Sequence, residues 1–335
     1  MPGRCRVAPG PADEMTATVG QPGSARQERM PQPSVDTVVA VVGPTAAGKS
    51  DLAVALALEL GGEVINADSM QLYRGMDIGT AKVPEAERRG VPHHLLDVWD
   101  VRRTATAAAY QQLCRERIAE LQARGVTPVL VGGSGLYLRA ALDRMEFPGT
   151  DPELRAQLEA ELADGGPGPL HARLRSLSPE AAARMEPSNG RRVVRALEVV
   201  LLTGSMPGEL TSYDEHVPTT WLGVDREDLP ERIGARVERM WEQGLVREVV
   251  GLAGLREGVT ASRALGYAQV LDLLDGTLTD VQAREQTAAA TRRFARRQRT
   301  WFRRDPRVTW LQTGDLLAQA LALTTRADQE RTPPD

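Results

Sequence analysis

Cysteine is nearly absent, with only Cys5 and Cys114 among 335 residues. Two thiols make neither a disulfide scaffold nor a zinc cluster, and their scarcity fits a reducing compartment. Long apolar runs are missing as well. No stretch of about eighteen apolar residues is available to span a membrane, and the N-terminus lacks a hydrophobic signal core. These absences predict a cytoplasmic protein with no membrane partner. A surplus of positive charge is also lacking, since the formal net charge is −4. Any contact with nucleic acid must therefore come from a local basic face. What is present, 41% hydrophobic and 26% charged residues, is ordinary for a globular chain of one large domain or two modest ones. No internal repeat is found.

Residues 1–36 are rich in Pro, Gly, Gln and Arg without an apolar period, so a disordered leader is expected, with Met15 or Met30 as the true start. From Thr37 the pattern changes. Val38 to Val42 is a continuous apolar run, as in a strand buried on both faces. An Ala/Leu-rich helix through Leu52–Leu58 comes next and stops at Gly61-Gly62. A second strand is expected over Val64 to Asp68, a long loop to Thr104, a helix from Ala105 to Arg124, and a third strand at Val129–Val131. Between Phe147 and Val217 the strand signal stops and helices broken by Pro and Gly take over. Thr220 to Asp225 again resembles a strand, and residues after Thr313 are weakly patterned.

Between the first strand and helix, Gly43-Pro44-Thr45-Ala46-Ala47-Gly48-Lys49-Ser50 fits G-x-x-x-x-G-K-[ST] at every fixed position. Glycines let successive amides turn inward as an anion nest, and the helix that starts there adds its positive end. Lys49 can neutralise phosphate oxygens and Ser50 can hold Mg²⁺. The predicted fold is α/β: a P-loop NTPase-like parallel sheet with helices on both faces, interrupted by a helical insertion. The expected core is 37–146 with 218–313, the insertion 147–217, and the C-terminal segment 314–335.

Ligands of open α/β sheets sit at the carboxyl ends of the strands. Asp68 occupies such an end. On spacing alone it is a general base, a Mg²⁺ ligand or a solvated acid. The third strand runs into Gly132-Gly133-Ser134-Gly135 where an NTP hydrolase usually carries a metal-binding Asp, which weakens an ATPase reading. Thr291 to Arg304 is the most basic segment, and Arg292, Arg296, Arg299 and Arg303 fall in one helical stripe. Such a stripe suits an anionic partner, or else a solvated face over Phe294, Trp301 and Phe302. Arg191, Arg192 and Arg195 form a second basic cluster in the insertion. His93-His94 have no partner at ligand spacing, and Asp77 and Asp97 have no spacing that assigns a role.

Together these motifs resemble the tRNA dimethylallyltransferase (tRNA isopentenyltransferase) family. The resemblance rests on the P-loop, on Asp68-Ser69-Met70-Gln71-Leu72-Tyr73-Arg74-Gly75-Met76-Asp77-Ile78-Gly79-Thr80-Ala81-Lys82, and on Pro92-His93-His94-Leu95. It continues through Gly132 to Tyr137, Arg192 to Glu198, Gly266-Tyr267 and the Thr291–Arg303 helix, in the expected order. Ser50 and Ser134 stand where the family often has Thr, which keeps the hydroxyl. The resemblance implies transfer of a dimethylallyl group from dimethylallyl diphosphate to N6 of the adenine immediately 3′ of the anticodon. It implies Asp68 as base, with Thr45 and Arg263 at the leaving group. The loop Gly43 to Ser50 would hold the diphosphate, with Mg²⁺ on Ser50. Asp68, Ser69, Met70, Gln71, Ser134, Arg191, Arg192 and Arg195 would contact the tRNA anticodon stem-loop, in binding that weakens with salt. A monomer is expected. A free-adenosine-nucleotide prenyltransferase, a small-molecule kinase and a non-catalytic RNA binder are the alternatives.

Overall fold

The computed structural model describes residues 36–206 and 212–331. The expected leader lies, except for Asp36, outside the described residues. The first strand, β1 (Val38–Val42), is buried at every position. Alternate side chains enter two different cores. Val38, Ala40 and Val42 join Tyr110, Ile118 and Leu121; Val39 and Val41 join Leu52, Leu56 and Leu60. Both faces of the strand are covered, so its sequence is continuously apolar instead of alternating.

The sheet has six strands in the order β3-β2-β4-β1-β5-β6, and every pairing is parallel. The remaining strands are β2 (Glu63–Asn66), β3 (His93–His94), β4 (Pro128–Gly132), β5 (Thr219–Gly223) and β6 (Thr309–Trp310). Helix α1 (Lys49–Leu60) links β1 to β2, and α2 (Ala107–Ala123), capped by the Thr106 hydroxyl, leads to β4. The chain leaves β1 toward β4 and β2 on one side and later adds β5 and β6 on the other. That reversal opens a crevice at the carboxyl ends of β1 and β4.

After α3 (Gly135–Leu142) come four helices: α4 (Pro152–Gly165), α5 (Pro167–Leu177), α6 (Pro179–Ala183) and α7 (Gly190–Thr203). Asp151 and Asn189 cap α4 and α7 by accepting backbone N–H groups. The four bury their own cluster, with Leu158, Leu170, Leu174, Val193 and Leu197 at its centre. The two chain segments leading in and out pair at Asp143 and Glu215. Then α8 (Leu229–Glu242), α9 (Leu245–Gly251), α10 (Tyr267–Leu274) and the long α11 (Asp280–Arg303) complete the α/β layers.

Three expectations about elements are corrected. The second strand ends at Asn66, so Asp68 lies in the turn beyond it. The long loop contains a strand, β3, whose two histidines pair with Val64 and Ile65. The weakly patterned C-terminal segment is helix α12 (Leu316–Arg331), which packs Leu316, Leu317, Leu321 and Leu323 on the α1 face of the sheet. No helix among the described residues is long and apolar enough to cross a membrane.

Candidate active site

The P-loop joins β1 to α1. Gly43 has φ +143° and passes so close to β5 that a Cβ would drive into the Val224 carbonyl. Gly48, at φ +95°, caps α1 in a conformation that only glycine adopts cheaply. Lys49 Nζ donates to the Pro44 carbonyl at 2.7 Å. Thr45 N–H donates to Gln298 Oε1 at 2.8 Å, and Gln298 Nε2 donates to the Gly133 carbonyl at 3.0 Å. A buried amide on α11 thus bolts the P-loop to the glycine turn after β4. A Cβ on Gly133 would strike that same Gln298 nitrogen, which explains the second glycine of the turn.

Asp68 is held by its neighbours. Asn66 Oδ1 accepts the Asp68 N–H at 2.9 Å, and Asn66 Nδ2 donates to the carbonyls of Asp68 and Leu95, each at 3.0 Å. Asp68 Oδ1 accepts the Met70 N–H at 2.9 Å, and Ser134 Oγ accepts the Ser69 N–H at 3.4 Å. Gln71 Nε2 donates to the Thr80 carbonyl at 3.1 Å. Removal from water pushes the Asp68 pKa up, opposed by the Met70 N–H and by Lys49. Burial also lowers Lys49, to about 8, with Asp68 opposing and Arg236 adding to the fall. A carboxyl raised and an ammonium lowered in one crevice are the marks of groups poised for proton transfer and anion binding.

Two cavities meet at Asp68. One, of about 720 Å³, is lined by Gly48, Lys49, Ser50 and Gln298. The other, of about 1020 Å³, extends between the α4–α7 helices and α8–α11 and includes Ser69, Met70, Arg191, Arg263 and Phe294. Only Thr45, Asp68, Thr80, Ala81, Arg236 and Met240 border both.

Sequence reasoning missed the arginines of α8. Arg232, Arg236 and Arg239 recur at i, i+4 and i+7, and all three line the P-loop cavity. Arg232 Nε donates to the Ala46 carbonyl at 2.9 Å, and Arg236 donates to Thr45 Oγ1 at 3.3 Å. Burial, with Arg232 and Arg239 adding repulsion, holds Arg236 below the ordinary guanidinium range. Three like charges beside Lys49 suit an anion, in a cavity whose lining also carries Asp51, Asp77, Glu85, Glu87 and Asp97. The i, i+4, i+7 spacing was the available signal. Arg263, expected at the leaving group, lies in a short turn (Ala261–Arg263) and lines the larger cavity, which Thr45, Asp68 and Arg236 also border.

The basic clusters are also rearranged. Arg195 does not reach outward: it holds the carbonyls of Pro148 and Gly149 and the buried Glu198, which Arg155 also grips. Arg191 lines the larger cavity and Arg192 is exposed. On α11, Arg299 and Arg303 turn to Asp225 at 2.8 and 3.3 Å. The face left open is Arg293, Arg296, Arg297 and Arg304 around Thr300 and Trp301. Asp77 and Asp97 are both occupied by the buried Lys82, at 2.5 and 2.6 Å. His94 pairs with Glu63 at 2.5 Å. Among the described residues no three His, Cys, Asp or Glu side chains converge to hold a metal.

A sequence profile of the IPP transferase family matches residues 71–305. This chain belongs to the IPP transferase family. It is 63% identical to the tRNA dimethylallyltransferase of Parafrankia sp. (strain EAN1pec), covering 86% of this chain and 92% of that one. With the enzyme of the same name from Streptomyces coelicolor the identity is 61%, over 88% and 97%. The crystal structure of the full-length tRNA isopentenylpyrophosphate transferase from Bacillus halodurans superimposes with a TM-score of 0.64 at 38% identity, covering 88% and 98%. A eukaryotic dimethylallyltransferase solved acting on tRNA gives a TM-score of 0.71 at 28% identity, covering 84% and 74%. Both neighbours share the α/β fold of this IPP transferase.

Proposed function

We propose that the chain transfers the dimethylallyl group of dimethylallyl diphosphate to N6 of the adenine immediately 3′ of the anticodon in tRNA, giving N6-isopentenyladenosine and diphosphate. The observation that carries this reading is the position of Asp68, at the seam between the P-loop cavity, which Lys49 and the α8 arginines line, and a larger, partly apolar cavity. The exocyclic amine of adenine is a poor nucleophile because its lone pair is delocalised into the ring. In the reaction N6 bonds to C1 of the donor, its proton passes to Asp68, and the C1–O electron pair leaves on diphosphate. Lys49, Arg236, the loop amides and the Thr45 hydroxyl neutralise charge as that leaving group forms. Mg²⁺ fits this site through the Ser50 hydroxyl beside Lys49. With no acidic cluster among the described residues to hold it, diphosphate oxygens and water would complete its coordination and it would add positive charge.

The base reaches Asp68 only after leaving the anticodon stack, which costs roughly a few kcal/mol. Arg191, Arg192 and the open α11 face around Arg297 supply the phosphate contacts that offset this cost, with Ser69, Met70, Gln71 and Ser134 beside the extruded base.

The test is incubation with Mg²⁺, labelled dimethylallyl diphosphate and unmodified tRNA, followed by nucleoside analysis. Label on adenine supports the reading; phosphoryl transfer from ATP with no label on tRNA overturns it. The titrations add a second test. Lys49 must be protonated to hold the donor, so kcat/KM for the donor falls as pH rises through about 8. Asp68 must be ionised to accept a proton, so the rate also falls on the acid side, at higher pH than an ordinary carboxylate would dictate. In a Lys49→Arg variant, whose guanidinium stays charged, the activity that remains is expected to show no alkaline limb. An alkaline limb that persists in K49R would assign it to another group.

A further inference from the structure

The prenyl donor makes opposite demands at its two ends: one is a dense anion, the other a small hydrocarbon. We propose that Met240 sets the length of the prenyl chain that this site accepts, an inference that rests on the function given above. With the diphosphate on the P-loop and the α8 arginines, C1 is one bond from a diphosphate oxygen. The hydrocarbon therefore begins where the two cavities join. Of the six residues that border both cavities, only Met240 and Ala81 have wholly hydrocarbon or thioether side chains, and Ala81 contributes a single methyl group.

Met240 stands on the helix that grips the diphosphate, four residues after Arg236 and next to Arg239. It is 9% exposed, so only a small part of it reaches the cavities. Ile233 and Val237 precede it at helical spacing and carry the apolar wall onward into the larger cavity. The loop carrying Gly79 to Ala81 also borders the cavity, and it has little freedom to give way. Glu248 accepts the N–H groups of Asp77, Ile78 and Gly79 at 3.1, 2.7 and 3.2 Å. A Cβ on Gly79 would strike Tyr267 and Leu245 behind it. In this proposal the five-carbon group occupies the junction beside Met240. A ten-carbon group must pass this side chain or run into the space through which the adenine approaches Asp68. Shortening Met240 releases volume on the α8 side, where the extra isoprene unit can lie without displacing the base.

The experiment compares wild type, Met240→Ala, Met240→Val and Met240→Phe with dimethylallyl and geranyl diphosphate on unmodified tRNA, and identifies products by nucleoside mass. The bond made and the bond broken are the same for both donors. One methylene in an apolar pocket is worth roughly 10- to 200-fold in discrimination. The ratio of kcat/KM for geranyl over dimethylallyl diphosphate is therefore expected to rise about tenfold or more in Met240→Ala, and less in Met240→Val. Met240→Phe is expected to lower kcat/KM for the dimethylallyl donor with KM for tRNA unchanged. Should Met240→Ala fail to fold, the rise in the ratio is read from Met240→Val instead. A ratio that stays at the wild-type value in every folded shortened variant overturns the proposal. Wild type that leaves the dimethylallyl donor untouched overturns instead the function on which it rests.

Discussion

Replacing Asp68 with Asn is expected to lower kcat by about 10²- to 10⁴-fold while donor binding persists, the usual loss when a general base is removed. Asn is the informative substitution because it keeps the shape of the site. Its Oδ1 can still accept the Met70 N–H, now met at 2.9 Å. The Asn66 contacts that fix the turn use the backbone of residue 68 and are untouched. What is lost is the capacity to take a proton from N6. One secondary effect has to be controlled. Asp68 supports the charge on Lys49, whose pKa is already about 8. Its neutralisation therefore shifts Lys49 further down, and the comparison belongs at a pH where Lys49 stays protonated in both proteins. Single-turnover rates with bound tRNA, beside donor affinity measured by calorimetry, separate the two effects. A fall of less than about tenfold in the single-turnover rate would remove Asp68 from the base role.

The parts of this site that were legible in the sequence are those in which neighbours in the chain are neighbours in space. The P-loop is eight consecutive residues between a buried strand and a helix, so its motif and context appear in one window. Asp68 was legible because residues just past the end of a parallel strand necessarily border the crevice of the sheet. Distant residues left no such trace. Gln298 clasps Thr45 across 253 residues of sequence, and nothing near either one announces the contact. On α11 the helix was legible, but its outward face was not. The partner of Arg299 and Arg303 is Asp225, on the segment after β5, and that pairing moves the open basic face round to Arg293, Arg296 and Arg297. Arg195 was misplaced for a similar reason, since the buried Glu198 that claims it lies one turn along α7 and reads as an ordinary helical acid. Strand β3 has two residues, too few for a period, and owes its form to the edge of β2. Helix α12 has a weak pattern because it lays scattered leucines on α1 instead of presenting a clean stripe.

Arg236 and Arg263 give the second large effect, because family position favours Arg263 at the leaving group and geometry favours Arg236. Arg236→Ala is expected to lower kcat by about 10²- to 10³-fold, the loss typical of a preorganised group aimed at developing charge. Arg236→Lys is expected to fall between, since it keeps the charge and loses the planar fork. Arg263→Ala is expected to spare the donor and act on tRNA, because Arg263 borders only the larger cavity. Stability supplies the control. In the ligand-free protein Arg236 is desolvated and repelled by Arg232 and Arg239, with Asp51 opposing. Removing it relieves that repulsion, so Arg236→Ala is expected to keep or raise the melting temperature while activity collapses. Diphosphate should then stabilise wild type more than the variant, because a ligand stabilises the folded state more the more tightly it binds there. If Arg263→Ala weakens diphosphate-induced stabilisation as much as Arg236→Ala does, the leaving group is held from the other side of the crevice, and the α8 arginines serve some other anion.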